Sequence, residues 1–232
     1  NGEMDRYSPE PLLFWTWVRA LQQRILKDEF PTAEQLWTRP NSNFLFAVLS
    51  DRRGSAIWCD IRLSSPRETC EEQVRVALDD ALGWLVDRYG RDPSTWTWGE
   101  EHRLDMQWSP ISSRRLLTNL LSLQAPISGD PFTQFLTSFG VVEDRPFLVS
   151  AGSNFQAVMS ISEAAGSYYI SPAGQSGHPL SRFYDNLFPS WIQGEYLAMS
   201  TDLSLARGGA SGISRLTPAT SDNPRMSEGQ SE

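Results

Sequence analysis

Gly174-Gln175-Ser176-Gly177-His178-Pro179-Leu180-Ser181, followed by Tyr184-Asp185, Trp191, Gly194-Glu195-Tyr196-Leu197 and Met199, is the stretch that decides how this chain is read. Taken as chemistry, it offers Ser176, His178 and Asp185, the residue types of a nucleophilic triad. The spacing opposes that use. A nucleophile elbow sets its serine in Gly-x-Ser-x-Gly between strand and helix, whereas Ser176 is followed by Gly177 and then His178. Triad members also come from distant segments that the fold brings together. Taken as structure, the block is a tight turn in which glycines supply positive φ and Pro179 holds His178 extended. It lacks the lysine and spacing of a P-loop and is not a Gly-x-Gly-x-x-Gly fingerprint. Ser181 is then placed to cap a helix carrying Phe183, Tyr184, Leu187, Phe188 and Trp191, which stops at Gly194.

Upstream of this block the apolar period is two. Residues 155–161 alternate as a half-buried strand, and residues 167–170 after Gly166 read as its hairpin mate. Gly129-Asp130-Pro131 announces another strand over residues 132–137. Nearer the start the period is helical. Ser8-Pro9-Glu10 gives a cap, a first-position proline and a first-turn acid for a helix to about Asp28, with Leu13, Phe14, Trp17, Val18, Leu21 and Ile25 as its core face. Ser65-Pro66-Arg67-Glu68 matches a capping box for a second helix that stops at Gly90, burying Val74, Ala77, Leu78, Ala81, Leu82, Leu85 and Tyr89. Between these helical and strand regions, Trp96, Trp98 and Trp108 bracket Glu100, Glu101, His102 and Arg103. His102 and His178 are the only histidines, and neither has His-x-x-x-His spacing, so the acids beside His102 read as a solvated turn or an ion pair with Arg103, not as a metal site. From Leu203 onward Gly, Ser, Pro and Thr dominate, so residues 1–202 form the folded portion and 203–232 a flexible polar tail, with a short edge strand near residues 213–216 as a candidate.

A net charge of −8 and no Lys/Arg run longer than a pair exclude a phosphate-backbone partner of the usual kind, hence no nucleic acid. The longest apolar stretch, residues 11–18, is far below the roughly 20 residues that span a bilayer, so no membrane span is expected. Cys59 and Cys70 suit neither a zinc site nor Cys-x-x-Cys chemistry, which leaves one local disulfide or two buried thiols. The polar, acidic opening and the Asn1 start are read as those of a processed chain or an excised fragment.

The block from Gly174 to Met199 resembles the end of penicillin acylase-family β chains. Trp58-Cys59-Asp60 with Glu68-Thr69-Cys70, then Asp92-Pro93 through Trp96, Trp98-Gly99 and His102, resemble the same family in order and spacing. The opening, with Met4, Leu13-Phe14 and Trp17, does so too, and the likeness extends over about residues 1–200. The resemblance implies an α+β chain: part of an αββα four-layer N-terminal-nucleophile hydrolase fold, with long amphipathic helices and a C-terminal antiparallel sheet contribution. It implies hydrolysis of linear amides, acyl transfer to water from substrates such as penicillins or acyl-homoserine lactones. The nucleophile is a β-chain serine whose own α-amino group acts as base. Asn1 cannot be that nucleophile, so no catalytic residue is carried onto this chain. The family's calcium ligands are expected outside it, leaving no cofactor in this segment. The implied partners are the remainder of the β chain and an α chain from the same precursor, with periplasmic or secreted localisation and a bridged Cys59–Cys70 pair. The alternative is a non-catalytic remnant or binding module of the same ancestry.

Overall fold

The computed structural model describes residues 4–62, 64–107, 118, 120–140, 144–161, 166–200, 202–210, 212 and 214–216. The chain is α+β and divides into two compact units, one from the described residues of 1–156 and 170–196, the other from those of 157–169 and 197–232.

In the first unit, α1 (Glu10–Glu29) is the common wall of two core clusters. Its first half sets Leu12 and Trp15 against Leu85, Trp96, Trp98, Phe139 and Phe147, and its second half sets Leu21, Ile25 and Leu26 against Leu45, Val48, Cys59 and Ala77. The buried face is therefore rotated from the expected one. Leu12, Trp15 and Thr16 are buried, Leu13, Trp17 and Val18 are half-buried, and Phe14 is 42% exposed. Residues 11–18 are apolar at nearly every position, so periodicity cannot choose a face there; Trp15 settles it by donating its indole N–H to buried Asp130 (3.2 Å). Nor does Ser8 cap the helix, because Pro9 occupies the N-cap in right-handed geometry with no side-chain acceptor.

Two short helices, α2 (Glu34–Thr38) and α3 (Ser42–Leu49), follow α1. Buried Gln22 of α1 holds their junction, donating to the Leu36 carbonyl and accepting from the Asn41 N–H at 2.9 Å. A 3₁₀ stretch, Arg52–Cys59, leads to α4 (Cys70–Tyr89). Here the expected capping box moves by four residues. Thr69 accepts from the Glu72 N–H (3.2 Å) while the Glu72 carboxylate accepts from the Thr69 N–H (2.8 Å), and Glu68 instead binds the Ser64 hydroxyl and the Ile61 N–H. Both tetrads satisfy the pattern, but only a start at Thr69 puts Cys70 in the first turn, where it is bridged to Cys59 with Cα atoms 5.0 Å apart. Gly90 stops α4 as expected, and Ala77, Ala81 and Leu85 of the expected face are buried, Leu82 being exposed.

After α5 (Trp98–Glu101) come β1 (Arg103–Met106), β2 (Leu123–Pro126), β3 (Thr137–Phe139) and β4 (Val149–Gly152), in a mixed sheet ordered β2-β1-β4-β3. Leu104 of β1 pairs with Ala125 antiparallel on one side and Val149 parallel on the other. The strand expected over 132–137 begins only at Thr137, because Asp130 turns residues 131–135 around itself, accepting from the Phe132 N–H at 2.7 Å and donating its own N–H to Thr133 at 2.9 Å. The helix expected from Ser181 is likewise confined to α6 (Phe188–Gln193), since residues around Ser181 close a turn; Gly194 ends it as expected.

The second unit is built around the sheet β5-β6-β7, with β5 Gln156–Val158, β6 Ser167–Ile170 and β7 Leu197–Met199. The expected neighbours β5 and β6 are adjacent, with Ser167 opposite Met199 on the far side of β6. A short helix, α7 (Leu203–Gly208), stands at the head of the polar stretch. Trp108, Ile213 and residues 217–232 lie outside the described residues, and Ser214 to Leu216 form no strand.

Thr69→Ala in the intact protein is expected to lower stability in urea by about 1 kcal/mol, whereas Ser65→Ala should change it by less than about 0.5 kcal/mol. Equal losses would refute the Thr69 box. Peptide mapping without reduction should recover the Cys59 and Cys70 peptides joined; replacing both cysteines by serine should cost about 2–3 kcal/mol, the chain-entropy value for so short a loop.

Candidate functional site

The densest concentration of buried polar groups lies where α5 meets the four-stranded sheet. His102 is fully buried and stacks on Trp98, centroids 4.4 Å apart and 11° from parallel, with Phe139 edge-on at 5.5 Å. Its Nδ1 is 3.0 Å from the Phe147 carbonyl and its Nε2 2.8 Å from Thr137 Oγ1. A carbonyl can only accept, so Nδ1 carries the proton and Nε2 accepts from the threonine hydroxyl. Both nitrogens are thus used by protein groups and the ring is neutral. It holds three segments together and has no lone pair left for a metal or a substrate.

Glu101, 5% exposed, is paired with Arg88 of α4 and accepts a hydrogen bond from the Tyr89 hydroxyl. The sequence left a solvated turn or an ion pair with Arg103 open; the Glu101 carboxylate is buried and faces the end of α4, and Glu100 is exposed. Burial, with the Glu101 carboxylate second, raises the Tyr89 phenol well above its ordinary value, so it remains a donor. Arg88 also donates to the Asp144 carbonyl (3.3 Å). Asp130, 1% exposed, is the second buried acid among the described residues, satisfied by Trp15 and by its own turn. Neither Asp130 nor Thr137 was singled out from sequence. The Gly129-Asp130-Pro131 turn signal was visible, but nothing local shows that its carboxylate faces inward.

Close backbone approach explains the glycines around this layer. The Gly99 N–H donates to the Arg6 carbonyl at 2.8 Å, and a Cβ on Gly99 would meet Pro126 Cβ at 2.8 Å and the Arg6 oxygen at 3.0 Å. Arg6 in turn donates to the carbonyls of Pro126 and Ile192, and its N–H to Ser128 Oγ.

Ser176, His178 and Asp185 are not assembled as a triad. Ser176 Oγ accepts from the His178 backbone N–H (3.2 Å), while the His178 ring accepts from the Leu180 N–H (3.2 Å) through Nδ1. Asp185 is exposed and contributes its main-chain carbonyl to Phe188. The block is a closed turn, with Gly174 N–H to Tyr184 O at 2.9 Å and Ser176 N–H to Phe183 O at 3.0 Å. A cleft of about 640 Å³ opens beside Asp5, Thr133, Phe135, Gln156 and Tyr196, and no histidine, cysteine or lysine is among the described residues that line it. Among the described residues no three His, Cys, Asp or Glu side chains cluster as metal ligands, and no helix is long and apolar enough to cross a membrane.

A family model described as penicillin amidase matches residues 1–205. An acyl-homoserine lactone acylase, QuiP, of Pseudomonas fluorescens strain Pf-5 is 20% identical over 206 residues, covering 86% of this chain and 24% of that protein. QuiP of Pseudomonas fluorescens strain Pf0-1 is 22% identical over 208 residues with the same coverage. A thermostable penicillin G acylase structure from Alcaligenes faecalis is 17% identical, with TM-score 0.45, covering 92% of this chain and 39% of that one. The chain spans about a quarter of the length of the curated relatives it matches.

Burial holds the folded pKa of His102 down at about 4, against 6.5 for a solvated imidazole, the Phe147 contact only partly opposing it. Between those values the unfolded chain binds a proton that the folded chain refuses, so stability is full above about pH 6.5 and is lost as pH falls toward 4. The expected loss is about 3 kcal/mol. Urea titrations of the intact protein and of His102→Gln across this range should differ in pH slope by about one proton; parallel slopes would show that His102 titrates normally.

Proposed function

The chain belongs to the penicillin amidase family, and on that footing we propose that it is the C-terminal portion of the β chain of an amide hydrolase that transfers an acyl group to water. The match across residues 1–205 carries this reading. The substrates proposed are linear amides, with N-acyl-homoserine lactones first because the curated relatives are acylases of that class, and penicillins second.

In this reading the nucleophile is a serine outside residues 1–232, made N-terminal by processing and activated by its own α-amino group. A hydroxyl is a weak nucleophile until a neighbouring base takes its proton, and an oxyanion hole then stabilises the tetrahedral intermediate. This chain supplies the wall behind that site. The neutral His102, the Glu101–Arg88–Tyr89 group and Asp130 are all consumed in holding α1, α4 and the sheet together. Its partners are the earlier part of the β chain and an α chain from the same precursor, and any calcium ligands belong to those parts. Periplasmic or secreted localisation is proposed with it, supported by the Cys59–Cys70 bridge, since such bonds persist in oxidising compartments.

Expression of the full reading frame should give a processed protein that releases the amine from N-acyl-homoserine lactones, measured as free primary amine. Ser176→Ala, His178→Ala and Asp185→Ala should each leave kcat within about threefold, where loss of a true triad member would cost about 10⁴-fold. A processed protein inert on every amide tested would sink the functional reading, and a collapse of kcat in any of the three variants would sink the assignment of the block to structure.

A further inference from the structure

The corner between α3 and the 3₁₀ stretch Arg52–Cys59 brings exposed apolar side chains and two arginines together on a strained turn. Leu45 and Val48 of α3 face the core, yet Phe46, Leu49 and Ile57 stand 58%, 46% and 60% exposed on the other side. The turn joining the two elements holds two non-glycine residues in left-handed geometry, Asp51 at φ +48° and Arg53 at φ +58°, an arrangement that costs free energy and clusters at sites of recognition. That turn presents Arg52 and Arg53 together. The Arg52 guanidinium lies 4.7 Å over the Phe46 ring, and neither arginine has a carboxylate within salt-bridge distance among the described residues. Asp51, next to them in sequence, accepts from the Ala56 N–H at 3.0 Å. On a chain of net charge −8, two guanidinia with no salt-bridged carboxylate among the described residues stand beside exposed aromatic and aliphatic carbon. Arginine and aromatic side chains are the groups enriched at the centres of protein interfaces.

We propose that this corner is the surface on which another chain of the same enzyme docks, through a segment that sets carboxylates against Arg52 and Arg53 and aliphatic side chains against Phe46, Leu49 and Ile57. The inference rests on the functional reading above, in which this chain is one part of a larger processed enzyme.

Hydroxyl-radical footprinting of the intact processed protein tests it, with buried Leu12 and 77%-exposed Leu120 as internal standards. Phe46, Leu49 and Ile57 are expected to lose modification and react at the rate of Leu12. Arg52→Glu with Arg53→Glu should restore modification and reduce co-elution of the partner chain, while Arg52→Lys with Arg53→Lys should keep both. Reaction at the rate of Leu120 overturns the proposal, as does co-elution unchanged by the charge reversal. Protection that accompanies a doubled mass in light scattering, abolished by the same reversal, identifies a second copy of this chain instead and also overturns it. A protected corner in a protein inert on amides overturns only the functional reading; an exposed corner in an active amidase overturns only the docking surface.

Discussion

The imidazole of His102 joins pieces of chain that are otherwise far apart. Its Nδ1–H reaches the Phe147 carbonyl just before β4, its Nε2 takes the Thr137 hydroxyl at the start of β3, and its ring lies flat on Trp98 of α5. Its own carbonyl accepts from Ile127 at the end of β2 (3.1 Å). Burial keeps this imidazole neutral, with Nδ1 donating to a carbonyl that can only accept and Nε2 left to accept from the hydroxyl. The sheet is thus tied to the helical layer through a group that must stay uncharged. Glu101 adds the complementary constraint by fixing the end of α4 through Arg88 and Tyr89. One dipeptide therefore anchors α4, β3 and the approach to β4.

The other end of the first unit is fixed by covalent and backbone means. The Cys59–Cys70 bridge, the Thr69–Glu72 capping box and the Trp17 indole donating to the Val74 carbonyl (2.9 Å) seat the start of α4 against α1. Since α1 runs from the His102 layer to the disulfide cluster, one helix packs into the cores at both ends. This is the property a supporting wall needs if the chemistry happens elsewhere. The buried acids and the buried histidine, ordinarily markers of an active centre, are here each saturated by protein partners.

How much of this was legible in the sequence depended on whether the deciding information was local. Gly90 and Gly194 as stops and Ser167–Ile170 as a strand follow from short-range pattern, the α+β class was implied by the family resemblance, and all appear in the structure. The capping box was ambiguous because Ser65 and Thr69 both head a matching tetrad, and the choice was made by Cys59, six residues before the first of them. The face of α1 was hidden by apolar residues all round its first half. The identity of the Glu101 partner was hidden by competition between a neighbour in sequence, Arg103, and one across space, Arg88. Where a side chain's direction is set by tertiary contact, periodicity has nothing to report.

The block from Gly174 to Met199 shows how residues of reactive type can be specified by the demands of the fold. A Cβ on Gly174 would lie 1.8 Å from the Phe183 oxygen, so the paired backbone there admits no side chain. Tyr184 reaches the Leu121 carbonyl with its hydroxyl (2.7 Å), which phenylalanine could not do. Trp191 is buried against Phe188, Phe135 and Ile170 while its indole N–H reaches the Ser153 carbonyl (3.2 Å), so one side chain supplies both bulk and a donor. Each of these residue types is dictated by a specific packing or hydrogen-bond demand of the fold. Ser176 and His178 sit among them because a tight turn uses polar side chains to accept its main-chain N–H groups, while Asp185 is exposed and gives the fold its main-chain carbonyl. The distinctiveness of the block therefore measures how tightly the turn and α6 are constrained, and the reactive appearance of three of its side chains is a by-product of that constraint.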